Sequence, residues 1–392
     1  MLFQTLDDKN ECVAYYQDGE LLNELLPSMT HTWATPTYLK GKDIEYAYLY
    51  AQSSLKDACP DYLKKELSEC SDLLMAYMRS MAQAKLDMDQ HCFYDLVPDQ
   101  FLIRFCEIKN KISKHVFDNC PKPSDYEFLS DLHQICQEIS FRKLNLDFSS
   151  VLRDTTDFAS RNKLKSVRAA APYVRYDIFG SRTGRLTTKP NSFPILNLKK
   201  QFRQAIKPTN DLFVELDYNA FELRVMLFLM GRPQPNIDIH EWNVSNVYRG
   251  VPTRDEAKTK IFAWLYNLDS NDRLPEKVYN RQEIINKYWD GAKVVNPFGR
   301  SIESDKFHAI SYLIQSTAVD IVLRQMIEID KLLKDKKSFI AFTVHDSVVI
   351  DMASEDFKML SEIKNKFSTY GGTQFLVNVS AGHDFGNMRD IE

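Results

Sequence analysis

Apolar residues over 44–90, Leu49, Leu55, Leu63, Leu67, Leu73, Leu74 and Met78, include pairs four and seven apart and predict helix. Two further helices are expected over 98–118 and 124–146, the second carrying Phe128, Leu129, Leu132, Ile135 and Ile139. Ahead of them the pattern gives a short β segment, Glu11 to Tyr16, and a turn at Asp18-Gly19. Irregular chain with Pro27 and Pro36 follows. Beyond residue 210 the pattern changes. Leu212, Phe213, Val214 and Leu216 predict a buried strand that ends at Asp217. A helix is predicted over 253–268, opened by a Thr253–Glu256 capping box behind Pro252. Another spans 305–335. SFIAFTVHDSVVIDM, residues 338–352, predicts two strands joined at a tight turn. A helical unit followed by strand, helices and hairpin gives an α+β class with an antiparallel sheet.

Length, 392 residues, allows two or three structural units, and 44% hydrophobic with 27% charged residues is globular composition. No apolar run nears the ~20 residues of a spanning helix. The N-terminus lacks the basic start and apolar stretch of a signal peptide. Seven cysteines, none in a C-x-x-C pair, all precede residue 137. Reduced thiols in an intracellular, cytoplasmic setting are expected, and a zinc site is not. Net charge is −4, which at face value speaks against nucleic acid. Divided along the chain, it does not. Residues 1–150 carry net −9, residues 151–210 net +10 and residues 211–392 net −5. A 60-residue basic strip is a solvated loop or a phosphate-tracking surface, and its polar motifs favour the second.

Two aspartates stand where chemistry is expected. Asp217 closes the apolar strand, and Asp346 sits in the turn between Ala341–Val344 and Val348–Ile350. Carboxylates on neighbouring strands can share divalent ions such as Mg²⁺; the plain alternative for Asp346 is a turn former. Arg254, Lys258, Phe262 and Tyr266 are spaced four apart and form one helical stripe of two cations and two rings. Cations suit a triphosphate and rings suit a base or sugar, although a solvated cationic face with two core aromatics has the same spacing.

From about residue 150 onward these residues fall into an ordered set of motifs. They are Thr183-Gly184-Arg185-Leu186-Thr187-Thr188 with Pro190-Asn191, then Asp217-Tyr218-Asn219-Ala220-Phe221-Glu222-Leu223-Arg224, then Asp238-Ile239-His240. The Arg254–Tyr266 stripe, Phe298-Gly299-Arg300, Ile314-Gln315-Ser316-Thr317-Ala318-Val319-Asp320 and Val344-His345-Asp346 complete it. In this order the motifs resemble the polymerase region of family A DNA polymerases, in a compact phage or viral form.

The resemblance implies a right-hand polymerase with an antiparallel-sheet palm, a helical thumb and helical fingers. It implies an N-terminal segment 1–44, a thumb at 45–165, palm at 166–235 and 305–392, and fingers at 236–304. Asp217 and Asp346 would hold two Mg²⁺ ions, with Mn²⁺ as a substitute. His240, Arg254 and Lys258 would cradle the triphosphate of a dNTP. Phe262 would lie on the deoxyribose and Tyr266 near the templating base, and Glu222 would exclude a ribose hydroxyl. Arg185, Asn191, Arg203, Gln315 and His345 would contact primed template DNA. Residues 1–44 are too few for a nuclease domain, and Asp43-Ile44-Glu45 lacks the apolar strand such a centre needs. Synthesis without proofreading is therefore expected. A separate exonuclease, helicase or processivity factor is the implied kind of partner, with no membrane; a phage or viral enzyme would work in host cytoplasm.

The chain departs from the family at several points. Ser347 stands where Glu usually follows the second aspartate, and Asn219-Ala220 replace Ser-Gln. Asn267 replaces Gly after Tyr266, Ser311 stands where Asn is common, and the stretch from Tyr266 to Phe298 is short, so the fingers are trimmed. The competing readings are a single-subunit RNA polymerase, against which Glu222 argues, and an inactive nucleic-acid-binding relative, against which Asp217, Asp346, Arg254 and Lys258 argue.

Overall fold

The computed structural model describes residues 1–8, 11–88, 90–154, 157–267, 269–270 and 272–391, the side chains of 153–154 excepted. The chain divides into two compact units, Met1–Phe141 and Arg142–Glu392.

In the first unit β1 (Gln4–Asp8), β2 (Glu11–Gln17) and β3 (Glu20–Leu22) form an antiparallel sheet. Asp18 and Gly19 turn the chain between the last two with φ of 49° and 94°, as the Asp-Gly pair predicts. Three long helices follow: α1 (Lys64–Gln83), α2 (Asp99–Asn119) and α3 (Tyr126–Phe141). The expected single helical stretch over 44–90 is broken. A short helix, Ala47–Ala51, ends at Gln52 in the left-handed region. Pro60 then opens a 3₁₀ turn that feeds α1, because proline lacks the amide that helix continuation needs. The buried stripe of α1 is also not the predicted one. Cys70 and Met81 are buried and Leu67, Leu74 and Tyr77 pack beside them, whereas Leu73 and Met78 are exposed. Leu6 and Tyr16 of the sheet share this core with Phe101, Cys106, Ile112 and Val116 of α2.

The second unit is built on a five-stranded antiparallel sheet. Its strands are β4 (Leu212–Tyr218), β5 (Phe339–Val344), β6 (Ser347–Met352), β7 (Val377–Gly382) and β8 (Arg389–Asp390), in the order β5-β6-β4-β7-β8. The central strand β4 pairs Asp217 with Ser347 on one side and with Asn378 on the other. Alternation decides which face carries chemistry. Val214, Leu216 and Tyr218 are buried. The Tyr218 ring stacks on Phe221 at 4.0 Å and on Phe367 at 4.4 Å between centroids. These contacts belong to α4 (Phe221–Leu229) and α9 (Leu360–Ser368), which with α8 (Lys306–Leu333) cover that face. Glu215 and Asp217 point to the opposite face.

Between β4 and α8 lie α5 (Ile239–Asn246), α6 (Arg254–Tyr266) and α7 (Arg281–Tyr288). Helix α6 opens on the predicted capping box: the Thr253 amide donates to Glu256 Oε2 at 2.8 Å, and the Glu256 amide to Thr253 Oγ1. Its end at Tyr266 leaves residue 268, the predicted end, outside the described residues. Helix α6 buries Ala257, Ile261, Trp264 and Leu265. Arg281 of α7 clamps it by donating to the Trp264 carbonyl at 2.6 Å, with its guanidinium over the Trp264 ring. No helix among the described residues is long and apolar enough to cross a membrane.

Candidate active site

The two aspartates come from adjacent strands. Because Asp217 is the register partner of Ser347, the β5–β6 turn, His345-Asp346, lies beside the end of β4. His345 takes φ of 55°, which closes the turn in two residues and leaves its ring exposed. The Asp217 carboxyl is pushed up to about 7, first by burial, then by the nearby charges of Glu215 and Asp346. Burial also raises Asp346, against the opposing pull of Arg185 and His345. Asp346 Oδ1 is buried with no hydrogen-bond partner. An orphaned carboxylate oxygen beside a second uncompensated carboxylate is the donor set a hard divalent cation takes. Among the described residues, no three His, Cys, Asp or Glu side chains converge as a ready-made metal site.

Arg185 links this pair to the next group. It reaches Glu222 of α4 at 3.7 Å while its Nε is buried without a partner. The loop holding it has little steric freedom. A Cβ at Gly184, φ 82°, would sit 2.6 Å from the Arg300 guanidinium carbon. Arg300 is fixed in turn by a fork onto Asp320, Nη2–Oδ1 2.6 Å and Nε–Oδ2 3.1 Å, and Asn296 donates to the same carboxylate at 2.7 Å. Three of the sequence motifs, around Gly184, Arg300 and Asp320, thus interlock. Sequence spacing could not show that Arg300 and Asp320 are each other's partners.

Glu222 accepts a hydrogen bond from the Tyr266 hydroxyl. Tyr266 stacks in parallel on Phe262, centroids 6.3 Å apart, and Phe262 lies 5.8 Å from the His240 ring. His240 is 3% exposed and its Nδ1 has no partner. Burial lowers its pKa to about 4, with Lys258, Arg254 and Arg224 lowering it further and Asp238 opposing, so the ring is neutral at pH 7. Asp238 caps α5 by accepting from the amides of His240 and Glu241, both at 3.0 Å. It also receives the Arg254 fork, Nε–Oδ1 3.1 Å and Nη2–Oδ2 2.9 Å. Burial would raise that carboxyl, but Arg254, Asn219 and the Glu241 amide outweigh it and hold it far below the usual range. Lys258 stands exposed one turn along α6.

Asn219, a departure from the family motif, has a defined task. Its amide donates to Asp238 Oδ2 at 3.0 Å, and its Oδ1 accepts from Arg224 and from the Ile239 amide. Arg224 is fully buried and also donates to the carbonyls of Asn219, Pro235 and Ile237. Ala220 follows at φ 43°, a left-handed conformation that tips the chain from β4 into α4. Sequence reasoning missed Arg224 as the pin of this loop, though a charge inside an apolar helix pattern is a readable signal.

Eight predicted residues thus form one linked set by direct contact or charge: Asp217, Asp346, His345, Arg185, Glu222, Tyr266, Phe262 and His240. Arg254 joins through Asp238, and Lys258 through its effect on His240. Three stand apart in their contacts. Gln315 donates to Ser311 one turn back on α8. Asn191 is exposed at φ 63°. Arg203 rests over the Phe385 ring at 4.9 Å and donates to the Leu198 carbonyl.

No protein-family profile and no curated protein matches the sequence. Solved structures do match. The POL domain of Pol1 from M. smegmatis, in complex with DNA primer-template and dNTP, aligns over 98% of this chain and 95% of its own, at TM-score 0.65 and 13% identity. The chain has the right-hand polymerase fold. The expected family A resemblance is borne out at the level of the fold.

Proposed function

We propose that the chain is a template-directed DNA polymerase that adds dNMPs from dNTPs to a primer 3′-hydroxyl. The observation that carries this reading is the line that starts at Asp346, which feels the charge of Arg185, and runs by contact through Arg185, Glu222, Tyr266 and Phe262 to His240. A carboxylate pair, then Glu222 with two aromatic rings, then a helix bearing Arg254 and Lys258 is an order that suits a nucleoside triphosphate. Asp217 and Asp346 hold two divalent ions, Mg²⁺ with Mn²⁺ as substitute. Bound there, the ions supply charge neutralisation on the phosphates and acidify the attacking hydroxyl.

The protein's own groups do the rest. Arg254 and Lys258 bind the triphosphate, and the orphaned Nδ1 of His240 gains a partner from a phosphate oxygen. Arg254 arrives aligned, since Asp238 already holds its fork. Phe262 and Tyr266 stack against sugar and templating base. Glu222 occupies the space of a ribose 2′-hydroxyl and is fixed from both sides, by Tyr266 and Arg185. Arg185 and Gln315 read the minor groove, His345 meets the primer backbone, and Asn191 and Arg203 follow template phosphates. In this reading residues 45–165 act as thumb, 236–304 as fingers, and 166–235 with 305–392 as palm.

The same reading has no proofreading in this chain. Glu45 of Asp43-Ile44-Glu45 is bound by Lys122 and Tyr50, which gives it a structural task. Primer extension with matched and mismatched primers tests both statements. Extension of the matched primer and no shortening of the mismatched one is expected. Equal use of ribo- and deoxyribonucleotides would instead favour an RNA polymerase, and no extension with Mg²⁺ an inactive relative.

A further inference from the structure

Glu215 bears on the aspartate pair through more than its charge. It lies two residues before Asp217 on β4, so both carboxyl groups leave the same face of the strand. On β6 the register sets Ser347 opposite Asp217 and Val349 opposite Glu215. Ser347 is 2% exposed, and its hydroxyl donates diagonally to Glu215 Oε1 at 2.8 Å. The Ser347 carbonyl accepts from Thr343 Oγ1 at 2.6 Å. Glu215 is therefore tied to the root of the turn that carries Asp346.

Among the described residues neither Glu215 nor Asp217 forms an ion pair. Carboxylates gathered this closely, two of them without an ion pair, are costly in a half-buried place. Asp346 Oδ1, buried and unpartnered, belongs to the same group. These carboxylates do not converge as a ready-made three-ligand site. Glu215 is thus placed to act at one remove, and Mg²⁺, which keeps several of its waters, allows that.

We propose that Glu215, anchored by Ser347, is the third carboxylate of the metal centre, a positioning residue that accepts hydrogen bonds from metal-bound water beside Asp217 and Asp346. The inference rests on the metal assignment above. It also gives Ser347 a purpose: the negative charge absent at 347 is supplied from the neighbouring strand.

Mn²⁺ binding to the full chain, read by electron paramagnetic resonance, tests it. Glu215→Gln is expected to weaken Mn²⁺ binding by about tenfold and to raise the Mg²⁺ needed for half-maximal extension similarly, with the KM for dNTP nearly unchanged. Glu215→Ser should do the same. Adding Ser347→Glu to Glu215→Ser moves the carboxylate one strand over and should restore Mn²⁺ affinity to within about threefold. A cross-strand polar pair with only a structural role would not be rescued in this readout. Ser347→Ala, which removes only the anchor, keeps the test open if a Glu215 variant does not fold, and should fall between wild type and Glu215→Gln. Wild-type Mn²⁺ affinity in Glu215→Gln, or in Ser347→Ala where that variant stands in, overturns the inference. So does a double variant as weak as Glu215→Ser. Asp217→Asn separates the two claims: if it too binds Mn²⁺ normally, the metal assignment itself fails.

Discussion

Asp217 holds its proton into the neutral range because it is buried beside Glu215 and Asp346 with nothing positive to balance it. Its folded pKa of about 7 lies above the ordinary 3.8, so the folded chain binds a proton that the unfolded chain has lost over that window. The contribution to stability is full below the lower value and is lost as pH rises through the upper one. Asp217→Asn should therefore stabilise the metal-free protein at alkaline pH, by roughly 2–4 kcal/mol at about pH 8, with the gain vanishing near pH 4. Urea unfolding in the presence of a chelator measures this, and equal stability of the two proteins at alkaline pH would contradict the placement. The proposed exclusion of ribose by Glu222 offers a second test at this scale. Tyr266→Phe removes the hydroxyl that holds Glu222, so ribonucleotide incorporation should rise about three- to tenfold, near 1 kcal/mol of lost discrimination. Unchanged discrimination in single-nucleotide addition would show that Arg185 alone holds the gate. Both aspartates and the Arg254–Tyr266 stripe were legible in the sequence, because strand ends and a four-residue period are local signals. The Arg254–Asp238 fork and the Ser347–Glu215 bond were not, because each joins elements that only folding brings together.

Elements were legible where their signals were strong. The capping box marked the start of α6, and the polar pair between two apolar runs marked the β5–β6 hairpin. The stretch 44–90 misled because leucine spacing alone ignores Pro60 and does not tell a buried stripe from an exposed one. The loop before Arg185 makes a sharper prediction. Gly184→Ala has to place a methyl group against the Arg300 guanidinium at a left-handed φ, and should destabilise the chain by about 1–3 kcal/mol. Because Arg300 is forked onto Asp320, the strain should be felt at Arg185, and primer-end affinity should fall as well. A thermal melt together with DNA titration checks both, and a variant indistinguishable from wild type would mean Arg300 yields freely.

For the molecule as a whole, the sign of the total charge is the misleading quantity. A chain of net −4 carries +10 within residues 151–210, and the whole of that strip lies in the second compact unit. Phosphates neutralised by it should give DNA affinity a steep salt dependence. Replacing Lys199 and Lys200 by alanine should flatten the log–log slope by about 0.9 for each phosphate that is no longer neutralised. A slope unaffected by the substitutions would move the DNA path elsewhere. The last cysteine is Cys136 and the basic strip begins at residue 151, and the compact units divide between them, at Phe141 and Arg142. The sequence did not show that residues 1–44 share a core with the helices after them, since that packing depends on residues far apart in the chain. The proposed polymerisation rests above all on the two aspartates. Single-turnover addition of one dNTP to a matched primer, in Mg²⁺, compares wild type with Asp217→Asn and Asp346→Asn under conditions where all three bind the duplex. Addition by wild type is expected, with a loss of at least about a thousandfold, on the order of 4 kcal/mol, in each variant. Addition by either variant near the wild-type rate would refute the role of these carboxylates as the metal-binding pair.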